Sequence, residues 1–347
     1  MFTATKHADT TALARQNRRL RRLKSEGVTR TTIFVHEQCR LALDELRPLL
    51  VDPQQFKNLA GILGSLKAGV KPTNVAQIKQ LSPFRYPGGK TWLVPQIRSW
   101  LRTAKTLPDV FVEPFAGGAM AGLTAAAEGL ADSVVLSELD ADVAAVWRTI
   151  FDGSESDVSW LCKRIVSYEV SLDNVQATLA FEPKTHREKA FRTIVKNRVQ
   201  RGGIMAAGAG LVKAGEAGKG LRSRWYPETL ADRIRALRAL RNLITFQEGD
   251  AFQIIEQFAN NPNAFFFIDP PYTAGGKKAG SRLYTHSEID HERLFCTMST
   301  VRGKVMFSYD DAPEVRLLAA KYKFRTETIS MKNTHHSIMQ ELLVFKP

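Results

Sequence analysis

From residue 83 onward, short apolar runs alternate with amphipathic stretches. The runs at 110–112, 134–136, 243–246, 264–268 and 304–307 are too short for buried helices and rich in Val, Ile and Phe, so they predict strands. Between them, stretches such as 120–128 and 142–151 repeat their apolar residues at helical spacing. This alternation predicts an α/β fold, a doubly wound and mostly parallel sheet with helices on both faces. Two last runs, near 326–330 and 340–345, have no helical stretch between them and predict a closing hairpin on the sheet edge.

Two regions break the alternation. Residues 155–240 hold helical segments and a Gly/Ala-rich basic stretch at 202–219, which predicts a helical insertion between the second and third core strands. Residues 1–82 predict an N-terminal helical extension, with helices over 10–26, 34–46 and 53–63 stopped by Gly27 and Pro48. The expected organisation is thus an extension (1–82), a core domain in two pieces (83–154 and 241–347) and an insertion (155–240).

Charge sharpens that division. The chain carries a net +14, of which residues 1–80 contribute +8 and residues 184–241 contribute +11, leaving a mildly acidic remainder. Two basic regions flanking an acidic body point to a polyanion as partner, with double-stranded DNA the expected one. Arg198, Arg201, Arg222 and Arg224 in the insertion are candidate contacts, as are Lys277, Lys278 and Arg282 in the stretch 275–284. In the extension, Arg15, Arg18, Arg19, Arg21, Arg22 and Lys24 fall within one helix-length and would add affinity for DNA. Leu13, Leu20 and Leu23 on that helix keep a protein partner or self-association open as its other role.

The three cysteines, Cys39, Cys162 and Cys296, form no close pair, which fits a reducing cytoplasm and argues against a zinc site; no metal is expected. None follows a proline, so the Pro-Cys nucleophile of cytosine-C5 chemistry is missing. No apolar run of about 18 residues predicts a membrane span, and no signal core opens the chain. A cytoplasmic protein of bacterial or phage origin is expected.

The run Asp269-Pro270-Pro271-Tyr272 directly follows the apolar stretch 264–268. A carboxylate and a rigidly held proline carbonyl can each accept one N–H of a planar exocyclic amine, while Tyr272 offers a stacking face. A simple strand-ending turn would also use Asp-Pro. Glu113, Phe115, Gly117 and Gly118 run from a strand through a turn without bulk into a helix, an arrangement that lets a ligand approach the backbone. Glu138, with Asp140 second, ends the next strand where a ribose diol is bound in doubly wound folds. Asp250 and Phe252 follow the third strand and would meet the amino group and ring of a cofactor adenine; a helix cap accounts for Asp250 equally well. Tyr86, Gly88, Gly89 and Lys90 end in Gly-Lys-Thr, yet Phe84 stands where a phosphate loop needs glycine, which excludes nucleoside triphosphate binding. They read instead as a pocket wall, with Tyr86 packing on a cofactor and Lys90 pairing with its carboxylate.

Tyr-Pro-Gly-Gly-Lys at 86–90, Val-Glu-Pro-Phe-Ala-Gly-Gly at 112–118 and Asp-Pro-Pro-Tyr at 269–272, in that order with an insertion before the last, resemble the Dam-like family of S-adenosylmethionine-dependent DNA adenine-N6 methyltransferases. The resemblance covers roughly residues 83–347. It implies a Rossmann-like methyltransferase fold with S-adenosylmethionine as cofactor, held by Tyr86, Lys90, Glu113, Phe115, Glu138 and Asp269. The family's Asn-Arg pair near a glycine corresponds to Asn197-Arg198 with Gly202 and Gly203. The implied function is adenine-N6 methylation of a base flipped from duplex DNA. The alternatives are an amino-group methyltransferase acting on cytosine N4 or RNA, and a DNA-binding module whose site has decayed.

Overall fold

Burial on both faces makes a central parallel strand an unbroken apolar run. The computed structural model describes residues 79–86, 88–206, 208–215, 218–271, 285–286, 288–332 and 338–347, with backbone alone at 330–332 and 338–340. The chain divides into two units, Met1–Lys71 and Pro72–Pro347, and every described residue belongs to the second. The expected N-terminal helices and their partners lie outside the described residues, as do Tyr272, Lys277, Lys278 and Arg282.

A short 3-10 turn (Lys90–Leu93) leads into α1 (Val94–Leu101), β1 (Val110–Glu113), α2 (Met120–Ala127), β2 (Val134–Glu138) and α3 (Ala141–Phe151). Then come α4 (Glu155–Val166), α5 (Leu172–Ala180), α6 (His186–Val199) and α7 (Pro227–Arg238). The chain continues through β3 (Ile244–Glu248), α8 (Ala251–Phe258), β4 (Ala264–Ile268), α9 (His291–Thr300), β5 (Lys304–Asp310), α10 (Pro313–Lys321), β6 (Arg325–Lys332) and β7 (Ile338–Phe345). The strands lie in the order β3-β2-β1-β4-β5-β7-β6. The first five are parallel, whereas β7 runs antiparallel to both β5 and β6. The fold is thus the expected doubly wound, mostly parallel sheet.

Alternate residues of β1, β2, β4, β5 and β7 supply two cores. Phe111, Leu136, Phe265 and Phe267 face α1 to α7, while Val112, Val135, Phe266 and Ile268 face α8, α9 and α10. Every residue of β4 is therefore buried. Edge strand β3 instead alternates, with Ile244 and Phe246 buried and Thr245 exposed. The insertion helices α4 to α7, which follow α3 on the way to β3, have no separate core. Leu161 of α4, Ile194 of α6 and Ile234 of α7 join the cluster that Trp147 of α3 carries up from the sheet. The expected hairpin is present, with β7 as its inner strand and β6 at the edge.

Candidate active site

Parallel strands deliver their C-terminal ends to one side of the sheet, and between β1 and β4 the chain's winding reverses, which opens a crevice there. A cavity of about 990 Å³ fills that crevice. Its wall includes Glu113 from the end of β1, Glu138 from β2, Asp269 after β4 and Glu341 from β7. It also includes Tyr86, Gly88, Gly89, Lys90, Phe115, Gly117, Gly118, Asp250, Phe252, Pro270 and Pro271. The described candidates for catalysis and cofactor binding thus share one cavity.

Lys90 has partners within the protein. Its ammonium is 5% exposed, lies 2.9 Å from the Asp269 carboxylate and donates to the Gly88 carbonyl at 2.8 Å. It therefore braces the residue after β4. A buried ammonium needs a counter-charge of the protein's own, and Asp269 supplies it.

Around this pair stand two carboxyls held in the opposite sense. Burial pushes Glu113 up to about 8, opposed by the Gly122 N–H that donates to it at 2.6 Å and reinforced by the Asp269 charge. Burial likewise pushes Glu341 up to about 7, with Lys90 opposing and Asp269 adding to the shift. Glu341 escaped the motif reading, although an acidic residue inside the apolar run 338–345 is itself a signal, because burying a carboxyl is costly without a reason. Behind the cavity wall, the Tyr309 hydroxyl and His291 Nδ1 are 3.0 Å apart, and burial, then the Asp269 charge, pushes the Tyr309 phenol up.

The Gly117-Gly118 turn differs from expectation, because a side chain of the protein already occupies its close approach. Gly117 has φ +46°, and a Cβ there would sit 2.6 Å from Cε1 of Tyr86. The turn thus seats the Tyr86 ring, and the ring in turn forms cavity wall. The N–H of Gly117 donates to Glu138 at 2.8 Å and that of Asp140 donates to the other Glu138 oxygen at 2.9 Å. Burial pushes Glu138 up to about 7, against the pull of these donors. Asp140 caps α3 through the N–H groups of Asp142 and Val143 and lines the cavity beside Glu138. Asp250 caps α8, accepting from the Phe252 N–H at 2.6 Å, and still lines the cavity. The guanidinium of Arg293 lies 4.1 Å over the Phe252 ring.

The residues expected at DNA separate into three kinds. Asn197 is fully buried: its amide donates to the carbonyls of Arg85 and Gly203 at 2.9 Å, and its carbonyl accepts the Arg85 N–H at 2.9 Å. With its amide spent on the backbone of Arg85 and Gly203 and on the Met205 sulfur, it is a buckle rather than a surface contact. Gly203 completes the buckle, since a Cβ there would fall 2.0 Å from the Arg85 carbonyl oxygen. Arg198, also buried, donates to the Pro83 carbonyl and lines the cavity with Arg224 and Gly202. Arg201 and Arg222 are exposed, the latter donating to the Val170 carbonyl at 3.0 Å. Insertion helix α6 thereby fixes the segment that carries Tyr86.

Sheet order and the placing of the motifs around one crevice define a Rossmann-like methyltransferase. The family model of the D12 class N6 adenine-specific DNA methyltransferases matches residues 86–335, and the chain belongs to that family. Membership implies S-adenosylmethionine as the methyl donor. No curated protein matches the chain significantly. Among solved structures, it is similar to a candidate RNA methyltransferase from Pyrococcus horikoshii, at 11% identity and TM-score 0.33, covering 83% of this chain and 96% of that one. It is also similar to the rRNA methyltransferase AviRa from Streptomyces viridochromogenes, at 11% identity and TM-score 0.35, covering 80% and 95%. No substrate follows from likenesses this distant. Among the described residues no helix is long and apolar enough to cross a membrane.

Proposed function

We propose that the protein methylates the N6 amine of adenine in double-stranded DNA, at specific sequences, on a base flipped out of the duplex. The observation that carries this reading is the placing of Asp269, Pro270 and Pro271 on the cavity shared with Glu138, Asp250 and Phe252. The donor set suits S-adenosylmethionine. Glu138 has both oxygens fixed by backbone N–H groups and retains lone pairs for a ribose diol, while Asp250 suits an exocyclic amine. Phe252, Phe115 and the Tyr86 ring give the apolar faces an adenine needs. When bound, the cofactor supplies a methyl group already activated by its sulfonium.

The chain's own residues do the rest. The adenine amine is a weak nucleophile because its lone pair is drawn into the ring. Asp269 accepts one of its N–H groups and the Pro270 carbonyl the other, which returns that pair to the nitrogen. Lys90 holds the Asp269 carboxylate in place, and proline rigidity aims the neighbouring carbonyl, so the acceptors are preorganised for the reaction. Tyr272 is proposed to stack on the flipped base, and the insertion with the stretch 275–284 to hold the duplex.

Single-turnover assays with duplexes of mixed sequence, read by mass spectrometry of the nucleosides, test this. N6-methyladenine should form, and Asp269→Asn should slow its formation by orders of magnitude with DNA binding kept. Methylation of cytosine N4 instead, or of RNA alone, would refute the assignment.

A further inference from the structure

One wall of the cavity is built from guanidinium groups. Arg85, Arg198, Arg224 and Arg233 all line it, with the phenol of Tyr226 beside them. Arg198 is 4% exposed, and after its bond to the Pro83 carbonyl its Nε has no acceptor. Arg233 donates to the Ser82 carbonyl at 3.2 Å. Among the described residues no carboxylate pairs with Arg85, Arg198 or Arg233. Burial, then the repulsion of Arg233, Arg85 and Arg224, pushes Arg198 down to about 9, so the group is still charged at neutral pH.

Like charges gathered around a buried, under-bonded guanidinium are unfavourable unless an anion joins them. We propose that Arg85, Arg198 and Arg233 form a subsite for one backbone phosphate of the nucleic-acid strand entering the cavity. The inference rests on the reading above that the substrate is DNA. Phosphodiester chemistry fits best, since guanidinium forks match phosphate oxygens and several positive groups exceed what a single carboxylate needs. A phosphate held here would anchor the strand on the same cavity that receives its base, and would fix register without reading sequence. Asn197, Arg198 and Arg233, which tie down residues 82–85, would then align that anchor with Tyr86.

Arg85→Gln tests this best, because only the backbone groups of Arg85 are engaged by Asn197 and the fold is expected to persist. With the full chain and a duplex carrying the methylated site, the variant's log–log salt slope of binding should fall by about 0.9. With the methylated site mapped, single methylphosphonate linkages are placed one at a time around the target adenine. One linkage should weaken parent binding about tenfold and leave Arg85→Gln almost unaffected. Arg233→Gln should behave the same way. An unchanged salt slope, or equal linkage effects in parent and variants, would overturn the proposal. So would a tenfold loss of S-adenosylhomocysteine affinity with DNA binding unchanged, since the cluster would then hold the cofactor's carboxylate. A parent that methylates adenine but shows no such linkage sinks this inference alone. A parent that shows the linkage yet transfers no methyl to adenine sinks the functional reading and leaves the subsite.

Discussion

Replacing Glu113 by glutamine should change how stability depends on pH, in a direction the structure dictates. Glu113 is 3% exposed, and its folded carboxyl is pushed from 4.5 up to about 8, chiefly by burial. Between those values the folded chain keeps a proton that the unfolded chain has lost. The folded state therefore binds more protons, and stability must fall as pH rises. The contribution is fully present below about pH 4.5 and is lost as pH rises through about 8. A tenfold difference in proton affinity between folded and unfolded chain is worth about 1.4 kcal/mol, so the full loss is on the order of 5 kcal/mol. Glutamine keeps an oxygen for the Gly122 N–H and has no charge to bury. Parent and Glu113→Gln should have similar urea-unfolding free energies near pH 5, and the variant should lead by several kcal/mol near pH 9. Glu138 and Glu341, both raised to about 7, titrate in parent and variant alike and cancel from the difference. A difference that stays constant with pH, or grows toward acid, would refute the argument.

Other perturbations separate the packing of the site from its chemistry. Gly117→Ala combines a left-handed φ with a Cβ 2.6 Å from the Tyr86 ring, so thermal unfolding should show a loss above about 1 kcal/mol. Calorimetry should show weakened S-adenosylhomocysteine binding, and an unaltered variant would remove Tyr86 from the wall. Asp269→Ala removes the carboxylate 2.9 Å from the buried Lys90 ammonium and should cost about 3 to 5 kcal/mol. Adding Lys90→Met should recover most of it, and a strictly additive double variant would contradict the ion pair. Asp250→Ala should cost about 1 kcal/mol as a lost cap. Asp250→Ser should restore denaturant stability while leaving cofactor affinity low; restored affinity would limit Asp250 to capping.

Local pattern carried the sheet. The run 264–268 announced β4 because a strand covered on both faces has no polar alternation, and the acids after β2 and β4 could be placed because parallel strands end on the same side. The hairpin of β6 and β7 followed from two adjacent apolar runs without a helix between them. That β7 lies inside, against β5, did not follow, because either strand of a hairpin satisfies the same pattern and only pairing with a distant neighbour chooses between them.

Side-chain roles were harder to read wherever the partner is far along the chain. Asn197 looks like a polar surface group in its helix, yet its partner Arg85 is 112 residues away, and only folding spends its amide on that backbone. Lys90 carried a charge whose counter-ion no local rule names, and the structure chose Asp269. The glycines at 117 and 118 declared that something must come close; that it is the ring of Tyr86 depends on how α6 pins the segment before it. Which residues are small, charged or apolar at each strand end is legible in the primary structure, since those properties are local. Which of them meet, and hence which charges are paired and which wait for a ligand, was decided by tertiary packing, because burial and proximity depend on residues from distant parts of the chain.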